Sequence, residues 1–201
     1  MNKRSAPLKI GIFGVGHLGK IHLKCLQQLS ETYQIIGFHD PDSATAQKIQ
    51  SQFNLPFFSN RDTLLDAIDV ADIVAPTFAH LELALAAIQR GKHVFIEKPI
   101  ANSLVEAQQI VAAAQSAGVK VQIGHVERFN PAFLALKNLP IQPMFIEGHR
   151  LATFNPRGTD VSVVLDLMIH DLDLILKMVP SKPVKVIASG VAVVSPTPDI
   201  T

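Results

Sequence analysis

Residues 9–19 read KIGIFGVGHLG. A strand-like run over residues 9–13 passes directly into Gly14, Gly16 and Gly19, and then into a helical pattern over residues 20–29. There Ile21, Leu23, Cys25, Leu26 and Leu29 fall mostly at helical spacing. Few folds accept strand, glycine loop and helix in that order. Gly14 permits the tight turn. Gly16 has no side chain to hold off a pyrophosphate, and Gly19 lets the helix pack close to the sheet. The helix N-terminus then offers unpaired N–H groups to phosphates. Val15, His17 and Leu18 complete the loop; His17 reads as a spacer whose backbone matters. The next strand pattern, residues 34–39, is followed by Asp40, 21 residues after Gly19. An acid at that place grips the ribose hydroxyls of a dinucleotide and repels a 2′-phosphate, so NAD is expected rather than NADP. A plain glycine turn beside a surface aspartate explains each piece, but not their common register.

The alternation continues. Helical patterns cover residues 43–53, 62–68, 81–89 and 104–117; strand patterns cover 56–59, 72–75, 93–96 and 119–123. Gly91 closes one helix, Ser103 caps the next and Gly118 ends it. Strand and helix repeated this way call for an α/β doubly wound parallel sheet. Residues 1–124 are thus expected to form a Rossmann domain. After Gly124 the rhythm changes. HVERFNP (125–131) is polar, and Pro140 and Pro143 follow. Then come strand patterns at 144–153 and 184–194 around a helix at 162–178. Residues 125–201 read as the start of an α+β open-sheet domain that looks incomplete, because so few strands leave edges and a face uncovered. The expectation is a fragment, or a chain that borrows the rest from a partner.

Composition narrows the function. Residues are 48% apolar and 17% charged, with a net charge of +1 and no long run of one sign. Nucleic acid and membrane surfaces therefore have no electrostatic support as partners. Cys25 is the single cysteine, so a cytoplasmic setting is the default. The basic N-terminus is followed by a glycine-broken apolar segment, unlike a signal peptide. No apolar run is long enough to span a membrane.

Two further places carry chemistry. Ligands of an open parallel sheet bind at the carboxyl ends of its strands. Glu97, Lys98 and Pro99 follow one strand pattern there, and Pro76 and Thr77 follow another. Pro99 restricts Lys98 to extended backbone. A surface salt bridge would account for the charges but not for their position. In VSVVLDLMIHDLDLILKM (161–178), Asp166, His170, Asp173 and Lys177 fall on one stripe of an apolar helix expected to be buried. Asp166, one turn from His170, would orient its ring and stabilise the protonated form that a general base becomes on taking a proton. A solvated polar stripe fits the spacing equally well. His170-Asp171 also suggests a metal phosphohydrolase, but the other histidines, such as His125 and His149, lie in loop and strand patterns; no metal site is expected. His22, His80 and His93 taken singly read as helix-surface or packing residues.

Together, IGIFGVGHLGKIH, Asp40, PTFAH (76–80), EKP (97–99), and Asp166 with His170 resemble the Gfo/Idh/MocA oxidoreductase family. The resemblance implies Lys98, Asp166 and His170 as the catalytic group, a cis peptide before Pro99, and Thr77, His80 and Glu97 among the cofactor contacts. It implies an NAD-dependent dehydrogenase that transfers a hydride between a sugar hydroxyl and nicotinamide. GHVERFNPAF and DVSVVLDLMIHDLDL look like the branch acting on nucleotide-linked sugars. Arg128, Asn130 and Arg157 then become candidates for substrate contacts, and the second-domain sheet a candidate for homo-oligomer formation. The alternative is an NAD-binding sensor or scaffold without activity.

Overall fold

A computed structural model describes residues 6–153 and 161–201. The chain divides into two compact units, Met1–Ile123 and Gly124–Thr201.

In the first unit, strand β1 (Leu8–Phe13) leads into helix α1 (His17–Gln27), β2 (Tyr33–His39) and α2 (Ser43–Phe53). Next come α3 (Arg61–Ala67), β3 (Val70–Ile73), a 3₁₀ turn at Thr77–Ala79 and α4 (His80–Gln89). Then follow β4 (His93–Glu97), α5 (Leu104–Ala117) and β5 (Val121–Gly124). The sheet order is β2-β1-β3-β4-β5. The pairs β1–β2, β1–β3 and β3–β4 are parallel. The order reverses beside β1, and open parallel sheets bind ligands at the carboxyl edge of such a switch point.

Period-two alternation along β1 assigns its residues to two cores. Ile10 and Ile12 join Leu23, Leu26, Phe38, Ile49 and Phe53 beneath α1 and α2. Phe13 joins Leu64, Leu65, Ile68, Ile73, Ala84, Ile88, Ile96 and Ile110 on the opposite face. Each buried Leu, Ile or Phe contributes about 1.5–3 kcal/mol relative to exposure, so these layers dominate the stability of the unit. Helix ends follow local chemistry. Asp42 accepts from the Ala44 N–H at the start of α2, and Ser103 accepts from the Glu106 N–H at the start of α5. Gly118 ends α5 at φ 66°.

The strand expected at 56–59 reduces to a single bridge, Phe38 to Phe57. The Phe38 N–H donates to Pro56 O and the Phe58 N–H donates to Phe38 O. Three residues lie along the outer edge of β2 and then leave it. The 72–75 pattern starts earlier, at Val70, and the helix expected from residue 20 begins at His17.

The second unit has a 3₁₀ turn at Val126–Phe129, helix α6 (Pro131–Ala135), a π turn at Val164–Met168 and helix α7 (Ile169–Met178). The strands expected at 144–153 and 184–194 do not form. Among the described residues of this unit the pairing is one bridge, Val191 to Ile200. Their alternation is real, but a strand exists only against a hydrogen-bonding neighbour, and none lies alongside. Met144 and Val184 are fully exposed in consequence. The sheet through which an oligomer was expected is therefore absent from the described residues. No described helix is long and apolar enough to cross a membrane.

Candidate functional site

The carboxyl edge of the sheet collects the loop residues that the sequence singles out. Gly14 has φ +93°, and a Cβ there would lie 2.7 Å from Ala75 N, so both conformation and space demand glycine. A Cβ on Gly19 would lie 2.2 Å from Gly14 O, which shows how closely α1 seats on the loop. A Cβ on Gly16 would meet nothing within 4 Å. The bare backbone of Gly16 therefore faces open space at the start of α1. No side chain caps this helix and its first turn holds no acid, so its N–H groups stand ready for an anion. Val15 is buried, whereas His17 and Leu18 point outward.

Asp40 follows β2. Its Oδ2 accepts from the Val15 N–H at 2.9 Å, and its Oδ1 accepts from the Asp42 N–H at 2.9 Å. The carboxylate thus fixes the glycine loop to the end of β2. With Asp42 two residues on, it makes that corner hostile to a second phosphate. This donor, acceptor and steric pattern fits a dinucleotide whose adenosine ribose carries free hydroxyls.

Thr77 is buried in the turn after β3. His80 begins α4 and is 1% exposed. Its Nδ1 lies 2.9 Å from Pro99 O and its Nε2 lies 2.9 Å from Ala75 O. The ring is therefore a strut between the loops after β3 and β4, with both nitrogens facing backbone carbonyls. Glu97 ends β4, and its Oε2 accepts from the Lys98 N–H at 3.2 Å. The Lys98–Pro99 peptide is cis. The EKP segment follows the fourth strand, since the expected third strand is only a bridge.

Sequence reasoning missed the group behind Glu97. His22, in α1, places Nδ1 at 3.0 and 3.2 Å from the two oxygens of Asp72, and Nε2 at 3.1 Å from Glu97 Oε1. Asp72 sits in the middle of β3 and is 3% exposed. Burial works to lower the His22 pKa, but its bonds to the two carboxylates outweigh that and raise it to about 10. Burial pushes the Asp72 carboxyl up, and His22 holds it back. A ring facing both oxygens of one carboxylate, with a second carboxylate behind it, fits an imidazolium donating to ionised acids. The readable signal was an acid inside the apolar run VADIV, with a histidine one turn after Gly19.

In the second unit Asp166 lies within the π turn and His170 in the first turn of α7. Both are half-buried, and so is the helix expected to be buried throughout: Leu172 and Leu176 are exposed. The π turn adds a residue to the winding, so the stripe drawn at α-helical spacing does not stay straight. Asp171 and Asp173 carry bidentate ion pairs. Arg128 donates Nε–H to Asp173 Oδ2 at 2.7 Å and a terminal N–H to Oδ1 at 2.5 Å. Arg150 grips Asp171 in the same bidentate way, at 2.7 and 2.9 Å. These bonds hold both carboxyls below their ordinary pKa. Arg128, expected at substrate phosphates, is committed to Asp173. Asn130 caps α6 through the Ala132 N–H and donates to Glu127. Arg157 lies outside the described residues. Among the described residues no three of His, Cys, Asp and Glu converge as metal ligands.

Residues 8–125 match the pattern of an oxidoreductase family with an NAD-binding Rossmann fold. The chain belongs to the Gfo/Idh/MocA oxidoreductase family. It is 37% identical over 194 residues to the UDP-N-acetylglucosamine 3-dehydrogenase of Acidithiobacillus ferrooxidans, covering 96% of this chain and 61% of that one. A solved structure of that enzyme superposes with a TM-score of 0.89 at 36% identity, over 97% of this chain and 64% of the other. Inositol 2-dehydrogenase of Salmonella typhimurium is 29% identical over 178 residues, which is 83% of this chain and 53% of that one. The chain thus spans between half and two thirds of the length of these relatives.

Proposed function

We propose that this member of the family binds NAD on its Rossmann unit and oxidises a hydroxyl of a sugar, carried on a nucleotide, to a ketone. One observation carries the cofactor half: Asp40 holds the glycine loop by the Val15 N–H while Gly16 leaves open space at the uncapped start of α1. Gly14, Gly16 and Gly19 would hold the pyrophosphate through backbone, and Asp40 the adenosine ribose. Bound there, NAD supplies the acceptor for the carbinol hydrogen with its electron pair.

The chain's own residues manage the proton. His170, with Asp166 one turn before it, takes the hydroxyl proton as the C–O bond becomes C=O. Lys98 donates a hydrogen bond to the oxygen as negative charge gathers on it. Glu97 braces the Lys98 backbone. The sugar class is supported by the relative at 37% identity, which is a UDP-N-acetylglucosamine 3-dehydrogenase. Lys98 is supported by its place inside the matched residues 8–125, and Asp166 with His170 by their resemblance to the family's later helix.

The test is turnover. Mixing the protein with NAD and UDP-linked amino sugars should produce NADH and a keto sugar. Lys98→Met should abolish both and leave NAD affinity within about threefold, because the lysine acts on the oxygen rather than on cofactor binding. Undiminished turnover in Lys98→Met would refute the catalytic assignment.

A further inference from the structure

The His22 cluster has no part in holding phosphate or in bonding the substrate oxygen, yet it joins the glycine-loop helix to the segment that carries Lys98. α1 opens on the glycine loop, and His22 stands one turn after Gly19. Its Nδ1 faces Asp72 in the middle of β3, and its Nε2 faces Glu97 at the end of β4. Glu97 in turn accepts from the Lys98 N–H. The ring also meets the edge of Phe95 at 5.8 Å, which keeps it from rotating away. Asp72 and Phe95 are register partners on neighbouring strands, so the bridge crosses the sheet along one pair line.

A packing histidine needs none of this. The face of the sheet beneath α1 is otherwise apolar: Ile10, Ile12, Leu23 and Leu26 fill it. Burying a carboxylate there is costly unless it is paired, and an apolar residue would pack at no such cost. A part-buried charged bridge anchored on the buried Asp72 holds two groups at set distance where apolar contacts would let them slide. The groups held are the helix that starts at the phosphate loop and the segment that presents Lys98.

We propose that His22 is a positioning residue of the dinucleotide site: by bridging Asp72 and Glu97 it locks the Glu97–Pro99 segment to the glycine-loop helix. This rests on the NAD reading above and deepens it. The phosphate end would be held by the backbone of the glycine loop and the uncapped start of α1 rather than by the His22 ring. The nicotinamide end would lie toward the segment that carries Lys98, which the bridge holds through Glu97. Loss of His22 therefore weakens recognition of the nicotinamide half and spares the adenosine diphosphate half.

Calorimetric titration with NAD and with ADP separates the two. In the wild type the ratio of the two dissociation constants gives the gain from the nicotinamide half. His22→Leu should lower that ratio at least fivefold and change ADP affinity less than twofold. His22→Gln, which keeps a donor towards one carboxylate, should recover part of the ratio. If His22→Leu fails to fold, His22→Gln with Asp72→Asn removes both charges and carries the same comparison. An unchanged ratio, with both affinities falling together or neither falling, would overturn the proposal while leaving NAD binding intact. A wild type that binds neither ligand would overturn the NAD reading and this one with it.

Discussion

Between Ile10 and Ala114 the chain buries two apolar layers against a five-stranded sheet, and its charges are few and placed. Beyond Gly124 no described residue is buried, and bidentate pairs from Arg128 and Arg150 to α7 do the joining. The two regions hold shape by different physics. Apolar transfer gives the first unit a large, salt-insensitive stability. Exposed ion pairs give the second about 0–1 kcal/mol each, screened by salt. Charge is used differently as well. In the first unit a bridge of His22 and Glu97 closes on the buried Asp72 behind the site; in the second, partly exposed arginines neutralise the acids of one helix.

The contrast breaks first under core truncation. Leu64→Ala should cost about 2–5 kcal/mol, because a fully buried side chain leaves a cavity. Leu176→Ala, at a residue of α7 that is 57% exposed, should cost under about 0.5 kcal/mol. Urea unfolding of both variants makes the comparison, and equal losses would erase the distinction.

The regions should also fail at opposite ends of the pH scale. His22 is raised from 6.5 to about 10 on folding, so its contribution is fully present below pH 6.5 and is lost as pH rises through about 10. Asp171 and Asp173 are lowered, so theirs is present above the ordinary carboxylate pKa and is lost as pH falls through the depressed values. Site-resolved NMR titration should find alkaline loss around His22 and acid loss around α7. A His22 ring that titrates near its ordinary value would contradict the charged bridge.

An effect well below that of core truncation belongs to the ion pairs of the second unit. Arg150→Ala should cost no more than about 1 kcal/mol, and less at high salt. Thermal melts at two salt concentrations check it; a salt-independent loss of several kcal/mol would give the second unit a buried charge core it does not display.

What the sequence showed tracks the same division. α2 and α5 were readable to the residue, because each has a local start signal and α5 ends on Gly118. The glycine loop and Asp40 were readable because their chemistry is local and their spacing fixed. The His22 bridge was not, since Asp72 and Glu97 lie 50 and 75 residues away and meet it through the sheet order. The strand patterns at 144–153 and 184–194 misled for a related reason: alternation marks a face, but a ladder needs a partner. Arg128 and Asn130 read as candidate substrate contacts, whereas Asp173 and the first turn of α6 claim them.

The most direct measurement is calorimetric titration of the wild type and Asp40→Ala with NAD and with NADP. The carboxylate that ties down Val15 should make the wild type bind NAD well above NADP. Asp40→Ala should lose about tenfold in NAD affinity and most of the preference, since one charged hydrogen bond is worth roughly 1.5–3 kcal/mol. Folded protein, free of carried-over cofactor, that binds neither dinucleotide would contradict the assignment of this edge of the sheet as an NAD site.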